Sequence, residues 1–261
     1  MKPVNPASNP PSLSPDDRIR FARHLLLPEV GAEGQIRLRQ AGVLVVGAGG
    51  LGSSVLLHLA ASGVGRIGIA DPDLVELGNL HRQIIHGMAS LGALKTGSAR
   101  RRLGEIDPRT EVQAYPTPFS DSNAAELAAP FSLIVDATDN LAARRAINRA
   151  CIRQKIPMIF GSAQRFEGQV SVFDAERGPC YRCVFPDLSD SGVIEPPAKS
   201  GVFGPIPGII GTFQALEAMK ILLGIGNPLI GKILVFDGLE ECFHQIQARK
   251  DPHCPECGDR G

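Results

Sequence analysis

Aromatic residues make up only 5% of the 261-residue chain, tryptophan is absent, and 27 Lys and Arg balance 27 Asp and Glu. Neither a stacking platform nor a basic face for nucleic acid is present, so a nucleic-acid partner is excluded. The one basic run, Arg100-Arg101-Arg102, turns by about 100° per residue on a helix and reads as solvated surface. Six cysteines are too few for a disulfide scaffold. No internal repeat is visible. The N-terminus has prolines at 3, 6, 10, 11 and 15 but no apolar signal-peptide core, and no later segment gives an uninterrupted span of about 20 apolar residues. These absences predict a soluble, cytoplasmic protein without a membrane partner. The histidines form no HExxH and no Ser/His/Asp spacing. His58 reads as a core-edge residue of the first long helix, and His81 as the one histidine near the site described next.

What is present is organised around Gly47-Ala48-Gly49-Gly50-Leu51-Gly52, which follows the apolar run Val43 to Val46 and opens a helical run from Ser53 to Ala61. Glycines there let the backbone turn sharply and approach a phosphate, while free N–H groups at the helix start face the anion. The run Arg66 to Ala70 ends in Asp71, 19 residues beyond Gly52, where a carboxylate is expected to hydrogen-bond a ribose. A bound nucleotide is the resulting expectation. The loop alone does not say which one.

In chain order, residues 1–13 read as a disordered tail and residues 14–261 as a single domain. Ser14 caps a helix with Pro15 in its first turn, and that helix carries Arg18, Arg20 and Arg23. Strand Val43 to Val46, the glycine-led helix and strand Arg66 to Ala70 make a βαβ unit, with Gly63 ending the helix. Helical patterning follows at Leu91 to Ile106, a weak strand at Val112 to Tyr115, a short helix at Asn123 to Ala128 and a buried strand at Leu133 to Val135. Asn140 caps the next helix, and Met158 to Phe160 is a further strand. The alternation predicts an α/β, Rossmann-like, mostly parallel sheet. Gly168 to Phe173 then alternates like an antiparallel strand, Cys180 to Gly208 is rich in Pro and Gly, a helix runs from about Gly211 to Leu223, and Lys232 to Phe236 is a late strand. Antiparallel strands should therefore continue the sheet.

Asp71-Pro72-Asp73 is followed by Asn79-Leu80-His81-Arg82-Gln83 and by Lys95 at a helix start. Arg82 can grip phosphate oxygens bidentately and Lys95 can supply a point charge, which suits a triphosphate better than a dinucleotide. Asp136-Ala137-Thr138-Asp139-Asn140 ends a strand, where open α/β sheets place ligands. With Asn140 engaged as the cap, Asp139 is free to hold magnesium. Gly226 to Lys232 matches seven positions of a phosphate-binding P-loop, but Ile233 stands where Ser or Thr is required and a strand follows, so the match is rejected. Cys180-x-x-Cys183 and Cys254-x-x-Cys257, 70 residues apart, offer four thiolates for tetrahedral zinc with no open position, hence a structural site. The redox-disulfide alternative lacks a thioredoxin-like helix start at either pair. Cys151 and Cys242 read as small buried hydrophobes.

Together these residues resemble the ThiF/MoeB/HesA adenylyltransferases, relatives of ubiquitin-activating enzymes, and within them the molybdopterin-synthase branch. The resemblance covers about Arg18 to Gly258 and rests on the glycine loop, Arg20-Phe21-Ala22-Arg23, Asp71-Pro72-Asp73, Asn79 to Gln83, Lys95, Thr138-Asp139-Asn140, Glu167-Gly168-Gln169 and both cysteine pairs. It implies Mg-ATP-dependent adenylylation of the C-terminal glycine of a small ubiquitin-fold sulfur-carrier protein ending in Gly-Gly, with release of pyrophosphate, for molybdopterin, thiamine or related biosynthesis. By position it implies ATP binding by Gly50, Asp71, Gly78, Asn79, Leu80, His81, Arg82, Lys95, Asp139 and Asn140. Arg23 would reach the neighbouring subunit's phosphates in a homodimer. One departure stands out: Pro197 occupies the place where many relatives have a reactive cysteine before Gly201-Val202. With no sulfur-transfer domain following, a separate sulfur donor is expected, and the reaction is expected to stop at the acyl-adenylate. The competing reading, an NAD-dependent oxidoreductase, uses only the Gly47 to Asp71 fingerprint and leaves Arg82, Lys95, Asp139 and the four cysteines without a task.

Overall fold

A computed structural model describes residues 12–186 and 201–258. Eight strands form one sheet in the order β3-β2-β1-β4-β5-β6-β7-β8. Strands β1 (Gly42–Val46), β2 (Arg66–Ala70), β3 (Glu111–Tyr115), β4 (Leu133–Asp136) and β5 (Met158–Gln164) run parallel. Strands β6 (Glu167–Phe173), β7 (Lys232–Asp237) and β8 (Cys242–Gln247) continue the sheet antiparallel. The parallel half with antiparallel continuation is the architecture that the alternation predicted. β8, an edge strand with most of its residues exposed, lacks the apolar alternation that would announce it.

In β1 the two-residue period feeds two cores. Val43 and Val45 pack on one side with Leu56, Leu59 and Ile210, while Leu44 and Val46 pack on the other with Ile147, Phe160 and Tyr181. The first side is covered by α3 (Gly31–Gln40), α4 (Gly50–Ala61), α5 (Lys95–Ile106) and α9 (Pro205–Leu223); the second by α6 (Ala124–Ala128), α7 (Leu141–Gln154) and α8 (Tyr181–Val184). Long-branched apolar residues all along α4 leave it little polar surface, which is why both β1 and α9 can bury against it.

The N-terminal helix breaks at Phe21 into α1 (Pro15–Arg20) and α2 (Ala22–Leu25). Ser14 caps α1 as expected, in a capping box with Asp17. Of the expected tail, residues 1–11 lie outside the described ones, and its last residue, Leu13, is buried. α5 begins at Lys95, not Leu91, because a short 3-10 turn (Met88–Ser90) and Gly92 with φ 76° intervene. α9 begins six residues before the expected start. Pro205 and Pro207, which read as loop residues, sit in its first turn, where a missing N–H costs nothing. Against the expectation of no such span, α9 is long and apolar enough to cross a membrane by length and composition. It packs instead against α4, β5 and β6 as the central core helix, with half of its apolar window buried.

Candidate active site

β1 pairs with β2 on one side and β4 on the other, so the chain leaves the sheet in opposite directions there. A crevice at the carboxyl ends of such strands is where doubly wound sheets bind ligands. The glycine loop follows β1, and Ala137 to Asn140 follow β4 directly across from it. Gly47 has φ 100°, and a Cβ on it would lie 2.5 Å from the Ala137 carbonyl oxygen. A Cβ on Gly52 would lie 2.0 Å from the Gly47 carbonyl oxygen. The two loops are thus packed backbone on backbone, a closeness only glycine permits.

Asp71, 5% exposed, does not point freely into the crevice. Its Oδ2 accepts from the Ala48 N–H at 2.7 Å and its Oδ1 from the Asp73 N–H at 2.9 Å. Burial pushes its pKa up, against the pull of those N–H groups and of Lys95. The Lys95 side chain, 8% exposed, pairs with Asp73 Oδ2 at 2.7 Å. In the 3-10 turn Leu77–Asn79, Asn79 caps the Glu76 N–H, and no neighbour crowds Gly78. Arg82 donates to the Gly78 carbonyl at 3.1 Å and lies 2.7 Å from His81 Nε2. Leu80 is half-buried beside them. Gln83 is buried next to Gly49, and its Oε1 has no partner among the described residues, a feature that a ligand's hydrogen-bond donor would relieve.

Two acids end β4, and they differ. Asp136 is fully buried, held by Arg144 Nε at 2.7 Å and by the Thr138 hydroxyl at 2.9 Å. Burial pushes its pKa up while Arg144 and Thr138 pull it down. Arg144 in turn donates to the Thr138 and Gly161 carbonyls and lies over the Phe160 ring. Asp139 is exposed and has no hydrogen bond or ion pair among the described residues. Asn140 caps α7 through the Ala143 N–H at 3.1 Å, so the division of labour between Asn140 and Asp139 holds. Beside Asn140 a cavity of about 450 Å³ opens between Phe119 and Ala143. A second opening of about 600 Å³ lies under Phe166, Phe203 and Leu239.

Several expected positions turn out otherwise. His81 is not the only histidine here: His86, read over because it lies beyond the Asn79–Gln83 motif, hydrogen-bonds the Ala48 carbonyl. His58 is exposed on α4, not at a core edge. Cys151 is buried and burial pushes its thiol pKa up, but Cys242 is only half-buried on β8, its sulfur 3.2 Å from His244 Nε2. Arg144 and Gln214, whose side chain donates to the Asp136 carbonyl at 2.7 Å, set the β4 loop together with Asp136 and carry no motif of their own. Arg23 is exposed on α2; its neighbour His24 contacts Gln35, which donates to the Ser62 carbonyl at the end of α4 opposite the glycine loop, so within one chain Arg23 is not brought to the crevice. Pro197 lies outside the described residues.

The four cysteine sulfurs of the two pairs all lie within 4.8 Å of one another. Three separations are 3.8, 3.7 and 3.4 Å, against an edge of about 3.8 Å for a tetrahedron of thiolates at zinc–sulfur bond length. None is bonded to another. Cys180 does precede a helix, α8, but it is a single turn, and convergence with the second pair fits a metal and not a redox disulfide.

A Rossmann-type crevice with a glycine loop, on a sheet whose antiparallel half lies beside a four-cysteine cluster, is the architecture of nucleotide-binding α/β proteins. The chain belongs to the ThiF family, whose model matches residues 21–256. It is 45% identical over 245 residues to a sulfur carrier protein adenylyltransferase of Thermus thermophilus, covering 92% of this chain and 90% of that one. It is 41% identical to the adenylyltransferase and sulfurtransferase MOCS3 of Sus scrofa, covering all of this chain but 57% of that protein. Against such MOCS3 relatives the chain spans little more than half the length. Among solved structures, E. coli MccB with a MccA peptide matches with a TM-score of 0.81 at 22% identity, over 92% of this chain and 75% of MccB. PaaA matches with a TM-score of 0.78 at 20% identity, over 95% of this chain and 78% of PaaA. At these identities the likeness is one of fold.

Proposed function

We propose that the protein, as one domain over residues 14–261, uses Mg-ATP to adenylylate the C-terminal glycine of a small ubiquitin-fold sulfur-carrier protein, releasing pyrophosphate. The observation that carries this reading is the crevice between β1 and β4: a braced glycine loop, a buried lysine beside it, and an exposed, unpaired carboxylate across from it. Its 45% identical relative, named for the same chemistry, supplies the substrate class.

The nucleophile is the carrier's terminal carboxylate, already ionised at neutral pH, so no general base is required. The work is to hold it in line with the α-phosphate and to neutralise charge growing on the leaving pyrophosphate. N–H groups of Gly49, Gly50 and the first turn of α4 face the phosphates, with Arg82 and Lys95 supplying positive charge. Asp71 keeps lone pairs free for a ribose hydroxyl while holding Ala48, and the cavity beside Asn140 receives the base. Asp139 fits a magnesium ligand because no protein cation competes for it; the ion, when bound, adds charge neutralisation to that of the two basic residues. Exposed Phe166, Phe203 and Leu239 offer the carrier an apolar footing. The four cysteines hold zinc as a structural staple.

In this reading the enzyme is a cytoplasmic homodimer in which Arg23 serves the partner's phosphates. A separate protein donates sulfur, and the product feeds molybdopterin, thiamine or related biosynthesis. The test is exchange of labelled pyrophosphate into ATP with purified carriers ending in Gly-Gly. Carrier-dependent exchange supports the reading; no exchange with any carrier, together with turnover of NAD(H), would transfer it to the oxidoreductase alternative.

A further inference from the structure

His86 takes no part in the motifs, yet it is 8% exposed and sits directly beneath the glycine loop. Its Nε2 lies 2.9 Å from the Ala48 carbonyl oxygen and its Nδ1 2.9 Å from the Ser98 hydroxyl. A carbonyl can only accept, so Nε2 carries the proton and Nδ1 accepts from Ser98. Burial lowers the ring's pKa, and the Lys95 charge adds to that, against the Ala48 carbonyl and Asp71; the ring is therefore neutral, in one fixed tautomer. The preceding peptide unit is held as well, because the Ala48 N–H donates to Asp71 at 2.7 Å. Ser98 stands one turn along α5 from Lys95, which is itself fixed by Asp73.

We infer that His86 is a positioning residue of the nucleotide loop, holding the Ala48–Gly49 peptide by its carbonyl and tying the glycine loop to the helix that bears Lys95. Backbone packing pins Gly47 and Gly52, but Gly49 has only the Gln83 amide at 3.7 Å beside it, so the direction of its N–H toward a phosphate depends on what holds the peptide it shares with the Ala48 carbonyl. Asp71 holds the peptide before it, but a ribose would share its oxygens. His86 touches no proposed ligand and so holds the loop in both states.

This inference rests on the ATP reading and is tested apart from it. Gln places a donor where Nε2 stands and Asn places its amide where Nδ1 stands, so His86→Gln keeps the Ala48 bond and His86→Asn loses it. For His86→Asn, the dissociation constant and KM for ATP should rise about tenfold with kcat within about threefold, and His86→Gln should stay within about threefold of wild type throughout. Nitrogen-15 spectra of the unaltered protein should show the Nε2–H tautomer with a slowly exchanging proton. ATP affinity in His86→Asn equal to wild type, equal losses in both variants, or an Nδ1–H tautomer would each overturn it. Wild-type protein that binds no ATP would instead sink the adenylylation reading.

Discussion

Gly49 and Gly52 lie three residues apart in the same loop, yet their replacement by alanine should fail in opposite ways. A Cβ on Gly52 would sit 2.0 Å from the Gly47 carbonyl oxygen and 2.9 Å from its carbonyl carbon. Both neighbours are backbone, pinned in turn against Ala137, and neither can swing aside. Overpacking of this kind costs about 3 kcal/mol, which for a chain of this size lowers Tm by roughly 6–12 °C. At Gly49 the nearest atom to a new Cβ is Gln83 Nε2 at 3.7 Å, ordinary contact, and φ is −85°. The loss there is that of a poorer N-cap, at most about 1 kcal/mol, or roughly 2–4 °C. The open space beside Gly49 is where a phosphate would approach the N–H groups. A methyl there should reduce ATP affinity at least about tenfold, equivalent to one lost charge-assisted hydrogen bond. Thermal melting and titration calorimetry with ATP, on both variants, separate the two failures. Wild-type affinity in a folded Gly49→Ala protein would refute the close approach of phosphate to this loop, and an unchanged Tm for Gly52→Ala would refute the backbone packing that shapes it.

Arg39 bridges two carboxylates, Asp17 at 2.9 Å and Asp107 at 2.6 Å, with Asp107 fully buried. Burial pushes both acids up, but Ser14 and Arg39 at Asp17, and Arg39 and Arg109 at Asp107, hold them below the ordinary value of 3.8. Their contribution is therefore complete above about pH 4 and lost as pH falls through the lowered folded values. Arg39→Met should cost about 3 kcal/mol at pH 7 in urea unfolding, with the gap narrowing below pH 4; a gap independent of pH would contradict this. The purified protein should hold about one zinc per chain by metal analysis, and Cys183→Ser should lower Tm before it changes ATP affinity. Zinc-free protein prepared without chelator would exclude the staple. Arg23→Ala and Asp139→Ala should each be inactive in pyrophosphate exchange, and subunit exchange between them should restore activity, since one hybrid site keeps both residues. No recovery in verified heterodimers would place Arg23 in its own subunit's site.

Local chemistry accounts for what could be read without coordinates. The Ser14 cap, the Gly47 turn, the Asn140 cap and the two CxxC pairs each act within a few residues, and all four stand where they were expected. α9 starts earlier than local patterning predicts because Pro205 and Pro207 signal a loop to any local rule, whereas at a helix N-terminus they are harmless. His86, Arg144 and Gln214 escaped for a different reason. His86 and Gln214 act across the fold, on Ala48 and the Asp136 carbonyl, and Arg144 turns back from the second turn of α7 onto Asp136; none of these pairings follows a spacing that a motif would announce. Cys242 is less buried than its residue type predicts because β8 is an exposed edge strand, where a small residue need not be buried.

The same distinction explains how the cysteine cluster and the nucleotide crevice belong to one structure. Helix α7 starts at the Asn140 cap, one residue after Asp139, and two turns later presents Asn148, which is buried. Asn148 Oδ1 accepts from the Tyr181 N–H at 2.9 Å, within the first cysteine pair, while its Nδ2 donates to Glu256, within the second. Arg149 reaches Glu256 as well, and Arg144 on the same helix lies over the Tyr181 ring. The helix that sets the direction of Asp139 is thus fastened at mid-length to both halves of the metal cluster. An amide is suited to this task because it offers a donor and an acceptor together, and an aspartate in its place would set a like charge against Glu256. Two cysteine pairs read from sequence as a structural metal site. In the folded protein they also brace the helix that begins at the proposed magnesium ligand.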